Sequence, residues 1–150
     1  MSHTARSVLA LGTAAVVSLS VSACSSLLFG NRTQATNLVV GQCILVPINS
    51  QVNSVATTDC TEEHTGEVYS ISPIDGESLP SRDELEELVD DTCYSTFEAY
   101  VGSSPEDTSL DYTAMSPTAD TWAKGDRTIV CIAVPTETDT LSRSVKDSRM

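Results

Sequence analysis

Few side chains of this sequence could carry out chemistry, and His64 is the first of them. It closes the run Cys60-Thr-Glu-Glu-His64, and the other histidine is His3 near the N-terminus. An imidazole can act as a general base, but catalysis needs a nucleophile or a second group within reach, and no Gly-x-Ser-x-Gly elbow is present. A lone histidine after a strand end is more often a surface residue. We therefore expect no catalytic residue and keep His64 as a candidate binding residue.

Two patterns raise the question of metal binding. Cys60 and His64 could begin a zinc site, but the sequence has no Cys-x-x-Cys pair to complete it. Six carboxylates crowd residues 83–91, yet the Asp-x-Asp-x-Asp-Gly spacing of a calcium loop is missing. Carboxylates near a helix start are favoured by the helix dipole. We expect neither a metal nor a cofactor.

Trp122 and Arg127 form the third candidate, because arginine beside an aromatic side chain is common in binding hot spots. The favoured alternative is packing, in which Trp122 covers a buried disulfide and Arg127 pairs with an acid of the helix. Asp126 would then close the turn before the last strand. Both interpretations stay open, and Trp122 and Arg127 remain candidate binding residues.

The N-terminus predicts export. Arg6 precedes an uncharged stretch over residues 8–21, which is too short for a comfortable membrane span and suits a secretory signal. The stretch ends in Val-Ser-Ala before Cys24, the pattern of a bacterial lipoprotein signal, although an ordinary signal with a chance cysteine would look similar. We expect residues 1–23 to be a signal peptide. Diacylglycerol and acyl chains such as palmitate on Cys24 would then hold the protein at the extracytoplasmic face of the cell membrane.

The clearest structural element is a helix that begins after Ser81. Glu84 stands three residues later, so the two form a capping box, and Gly102 is the natural C-terminal stop. Apolar residues recur at helical spacing and predict a single buried stripe: Leu85, Leu88, Val89, Cys93, Phe97 and Tyr100 or Val101.

Five segments have strand composition: 38–47, 55–58, 66–71, 110–115 and 128–134. The fold class is therefore α+β, a small antiparallel sheet of about five strands with one amphipathic helix packed on one face. Four cysteines in a small exported domain predict two disulfides with three possible connectivities. A hairpin turn near residues 51–52 would bring Cys43 opposite Cys60. Cys93 on the helix stripe would face Cys131 in the last strand.

The chain divides by composition. Residues 24–37 form a polar tether, 38–135 the folded domain, and 136–150 a polar tail that we expect to be disordered. The net charge is −13, and it becomes −14 without Arg6, the only charged residue of 1–23. Such a chain should repel nucleic acid, so we expect no nucleic-acid partner.

Several segments together resemble one family. Residues 41–43 resemble an opening Gly-Asp-Cys, and 59–69 a Pro-Cys-x-x-Pro-His-x-x-Glu-Val segment. Residues 93–102 and 117–131 complete the set. The chain is similar in these segments to the septum formation family of actinobacterial envelope proteins, with all four cysteines in order. It departs from the pattern at Gln42, Asp59 and Glu63.

The resemblance implies a link to cell division and brings no catalytic residue. The leading hypothesis is a non-enzymatic binding or scaffolding lipoprotein with an envelope or divisome protein as its partner. The alternative is an envelope enzyme acting on cell-wall material, which would need paired carboxylates in a cleft.

Overall fold

The computed structural model describes residues 31–47, 54–137 and 139–150. The predicted signal peptide, Cys24 and the turn expected at residues 51–52 lie outside these ranges. The α+β prediction is confirmed: one antiparallel sheet of six strands carries one long helix. The strands lie in the order β1-β3-β2-β4-β6-β5. Their bounds are β1 Arg32–Gln34, β2 Cys43–Leu45, β3 Ser54–Thr58, β4 Gly66–Pro73, β5 Leu110–Met115 and β6 Thr128–Pro135.

Both faces of the sheet are apolar. Val68 and Ile132 are paired across β4 and β6 and point to the face away from the helix, where they join Ile44 and Val55. Their alternate neighbours, including Tyr69, point to the helix face, because successive strand residues face opposite sides. The central strands are thus buried on both sides, which explains the continuous apolar run of β6.

Helix α1 spans Arg82–Val101, and its predicted boundaries are confirmed. The Ser81 hydroxyl accepts from the Glu84 amide while the Glu84 carboxylate accepts from the Ser81 amide. Gly102 ends the helix at φ 88°, a left-handed conformation that glycine adopts without strain.

The buried stripe of α1 is narrower than predicted. Cys93, Phe97 and Val101 are fully buried, and they repeat every four residues. Leu88, which we predicted to be core, is 36% exposed. Leu88 directly precedes Val89 in the sequence and therefore points to one side of the buried stripe. Leu85 and Val89 do pack against the core. A second, one-turn helix, α2, covers Ala119–Trp122.

Both disulfides form as predicted, with Cα–Cα distances of 5.3 Å for Cys43–Cys60 and 5.5 Å for Cys93–Cys131. The first closes the β2–β3 pair just beyond the row in which Cys43 faces Thr58. The second ties the buried stripe of α1 to β6. The first disulfide thus links two neighbouring segments of the sheet, and the second links the helix to the sheet.

Two segments outside the predicted domain are ordered parts of the fold. Part of the expected tether forms β1, which pairs with β3 at the sheet edge. The tail, expected to be disordered, packs its only two apolar residues besides the terminal methionine into the core: Leu141 is 5% exposed and Val145 fully buried. Low apolar content led to the wrong prediction, because the tail is held by main-chain hydrogen bonds rather than by apolar area. We call residues 139–150 the C-terminal strap.

Candidate functional site

Trp122 and Arg127 contact each other closely. The Arg127 guanidinium carbon lies 3.6 Å from the centroid of the Trp122 ring, and Trp122 is 8% exposed. The guanidinium donates to the carbonyl oxygens of Trp122 and Asp126, at 2.7 and 2.8 Å. It therefore caps main-chain carbonyls instead of pairing with a helix acid. The Asp126 carboxylate accepts from both the amide and the hydroxyl of Thr128, as expected for a turn residue.

The structure does not bring His64 to this cluster. Glu67 pairs with Ala133 near one end of the β4–β6 ladder, and Pro73 pairs with Thr128 at the other. Six residue steps along a strand measure about 20 Å. His64 lies beyond the first end and Arg127 beyond the second, so the three candidate residues do not form one site.

His64 is fully buried, not a surface residue. Its backbone pairs with Leu141 of the C-terminal strap in both directions, at 2.9 and 2.8 Å. Its Nδ1 lies 2.8 Å from the Glu62 carbonyl oxygen. Since a carbonyl can only accept, Nδ1 is the donor of this bond, and in the neutral imidazole the lone pair is then on Nε2. Nε2 is buried and has no hydrogen-bond partner among the described residues.

Glu67 is also fully buried, and the sequence analysis missed it. Its carboxylate accepts from the Tyr100 hydroxyl at 2.6 Å, the Ser144 hydroxyl at 2.8 Å and the Val145 amide at 2.7 Å. Three donors compensate a carboxylate for the water lost on burial. The alternation of side chains along β4 could have revealed this burial. Glu67 and Tyr69 are two residues apart, so both point to the helix face.

These contacts hold the C-terminal strap on the domain. Beyond the bonds to His64 and Glu67, the Asp147 amide donates to the Tyr100 carbonyl and the Arg149 amide to the Val101 carbonyl. The strap thus supplies partners for carbonyls at the end of α1, which otherwise lack them. One carboxylate and one histidine backbone fix it to the sheet.

The tyrosines around the core act as hydrogen-bond donors. Burial, followed by the hydrogen bond to Glu67, raises the pKa of Tyr100 well above its ordinary value. Burial likewise raises the pKa of Tyr69, whose hydroxyl donates to the Cys93 carbonyl. The hydrogen bond to Asp90 is the main cause that raises the pKa of Tyr112 to about 12. All three stay protonated at neutral pH.

One group of residues has the donor atoms for a metal. Cys43, His64 and Glu67 each offer a ligand atom, and these atoms lie within 4.8 Å of one another. The Cys43 sulfur is bonded to Cys60. Because a thiolate is the sulfur ligand that metals prefer, the oxidised protein presents only two good ligands here.

The surface offers two further features. A groove of about 350 Å³ runs along α1, with Leu85 and Val89 as its floor and Glu86 and Asp90 at its rim. Glu86 is paired with Arg82. Exposed apolar side chains occur near β2, where Val39, Val40 and Leu45 are 60%, 51% and 46% exposed.

The comparisons with known proteins agree with the domain as folded. A family model described as septum formation matches residues 40–148, nearly three quarters of the chain. The match includes residues 139–148 of the C-terminal strap, so the strap belongs to the domain. Searches of curated proteins and of solved structures found no match. None of the described helices is both long and apolar enough to cross a membrane.

Proposed function

This chain belongs to the septum formation family, and we propose that it works as a non-enzymatic binding or scaffolding module of the cell envelope. Its link to septum formation follows from the family. In this proposal a lipid on Cys24 anchors it to the outer face of the cytoplasmic membrane, and an envelope or divisome protein is its partner.

One observation carries the non-enzymatic part of the proposal. His64 and Glu67 are fully buried, and both hold the C-terminal strap. A catalytic acid or base has to reach its substrate. These side chains instead support the fold, and the strap would have to leave before a substrate could contact them.

The apolar residues near β2 are the partner surface that we propose. Ala56 of β3 pairs with Leu45 on one side and with Arg32 of β1 on the other. Residues directly opposite in antiparallel strands point to the same face. Leu45 therefore shares a row with Arg32, where the proposed tether enters the sheet. A partner bound there would lie close to the anchor.

The anchor is tested by the Cys24→Ser variant. We expect the variant to leave the membrane fraction or to accumulate as unprocessed precursor, as measured by fractionation and mass spectrometry. Wild-type protein expressed at the same level is the control. A variant that is processed and stays anchored would show that Cys24 is not the attachment point.

The partner surface is tested by replacing Leu45 with Asp in cells that lack the native copy. We expect septum placement, scored by microscopy, to fail although the variant is folded and membrane-bound. The matched control is Leu88→Asp, since Leu88 is an exposed leucine on α1, away from β2. Equal rescue by both variants would contradict the proposed surface.

The rival function, an enzyme acting on wall material, would have to use the groove along α1. Glu86 and Asp90 stand at its rim, and paired carboxylates are the groups that glycoside hydrolysis requires. Both are already engaged, Glu86 by Arg82 and Asp90 by Tyr112. The Glu86→Gln/Asp90→Asn double variant should therefore keep full function.

A further inference from the structure

The Nε2 atom of His64 is a buried polar atom with no hydrogen-bond partner among the described residues. Buried polar atoms are nearly always satisfied, so an exception calls for an explanation. Cys43 and Glu67 offer ligand atoms that lie within 4.8 Å of a ring nitrogen of His64 and of each other. Cys60 joins the group through its bond to Cys43.

We infer that Cys43, Cys60, His64 and Glu67 form a zinc site once the Cys43–Cys60 disulfide is reduced. Two thiolates, one imidazole and one carboxylate are ligands that Zn²⁺ accepts in tetrahedral geometry. Cys60 and His64 are four residues apart, and Cys43 faces Glu67 across the β2–β4 ladder. The four ligands therefore come from adjacent backbone segments.

The surroundings of the two non-sulfur ligands match those of metal ligands. A metal-bound histidine nearly always donates its other ring N–H to a carbonyl or carboxylate. His64 does so through Nδ1 to the Glu62 carbonyl, which leaves Nε2 free to bind. Glu67 is oriented by Tyr100, Ser144 and Val145. A carboxylate has about four lone-pair positions, so three hydrogen bonds leave one for a metal.

A reductant should reach the Cys43–Cys60 disulfide more readily than the Cys93–Cys131 disulfide. Cys60 is partly exposed, whereas Cys93 and Cys131 are both fully buried. A thiolate of a dithiol reductant attacks the Cys60 sulfur, and Cys43 leaves as a thiolate. The second thiol of the reductant then attacks its own mixed-disulfide sulfur, releases the Cys60 thiolate and completes a two-electron reduction. Zn²⁺ then binds the two thiolates in place of protons.

The test is zinc titration of the full chain in detergent, before and after treatment with a dithiol, against a chromogenic chelator. We expect one tightly bound Zn²⁺ per chain only after reduction. His64→Gln should weaken binding at least about tenfold, a loss that removal of even an outer-shell partner can cause. The control is the Cys93→Ala/Cys131→Ala double variant, which removes the other disulfide and should bind zinc as the wild type does.

X-ray absorption spectroscopy of the reduced, zinc-loaded wild-type protein identifies the ligand atoms and their distances from zinc, and it requires no variant. We expect two sulfur ligands at about 2.3 Å and two nitrogen or oxygen ligands at about 2.0–2.2 Å. Absence of zinc binding after reduction, equal binding by wild type and His64→Gln, or a shell of four sulfurs would each overturn the inference. So would a reduced chain that is unfolded and that zinc does not refold.

Discussion

Replacing Glu67 tests how the C-terminal strap is held. In Glu67→Ala, three donors lose their acceptor: the Val145 amide, the Tyr100 hydroxyl and the Ser144 hydroxyl. Ser144 is exposed and water can take over its bond, whereas the bond of the Val145 amide is buried and Tyr100 is partly buried. In Glu67→Gln, the amide oxygen can accept from Val145, and both hydroxyls can turn to accept from the amide NH₂.

The magnitudes follow from these partners. Each buried donor left without an acceptor costs about 1–3 kcal/mol, so two donors would cost about 2–6 kcal/mol. If the strap detaches, water can bind these donors. The loss of stability therefore cannot exceed the free energy that docking of the strap contributes. We expect the free energy of unfolding to fall by about 2–4 kcal/mol in Glu67→Ala and by about 1 kcal/mol in Glu67→Gln.

Urea unfolding with intact disulfides measures the free energies, and hydrogen exchange locates the change. The amides of Leu141, Val145, Asp147 and Arg149 should exchange faster in Glu67→Ala, while those of the β5–β6 ladder stay protected. The reasoning would be refuted by two variants of equal stability, or by strap amides that keep their protection in Glu67→Ala.

Three further predictions concern the helix and the core. Ser81→Ala removes the cap of α1 and should cost about 1 kcal/mol in urea unfolding. Leu88→Ala should cost less than about 0.5 kcal/mol because the side chain is exposed. Phe97→Ala should cost about 3–5 kcal/mol because the side chain is fully buried. Equal losses would show that the buried face of α1 has been assigned wrongly. Tyr112 should ionise near pH 12 in an ultraviolet titration, and Asp90→Asn should lower that value. Because folding raises this pKa, its contribution to stability is present below about pH 10 and is lost as pH rises through 12.

Local signals in the sequence were sufficient for most of the fold. The capping box at Ser81 and the glycine at 102 define α1, and strand composition gives β5 at its observed bounds. Cysteine positions relative to those elements gave both disulfides. These features depend on neighbouring residues, which a single sequence displays directly.

The candidate site depends on contacts between distant residues, so most of it was missed. The strap has only two buried apolar residues, and its partners His64 and Glu67 lie more than 70 positions earlier. No local pattern reports such a contact. The burial of His64 follows from that same packing. Trp122 and Arg127 were recognised as a pair, but whether they pack or bind was not decided by their spacing.

The most direct test of the central claim is septum formation in cells whose only copy lacks the two groove carboxylates, through Glu86→Gln and Asp90→Asn. A non-enzymatic module needs neither of them for chemistry. We therefore predict septa indistinguishable from wild type by microscopy, at a matched level of folded, membrane-bound protein. Loss of septation with fold, abundance and anchoring unchanged would contradict the account and favour an enzyme.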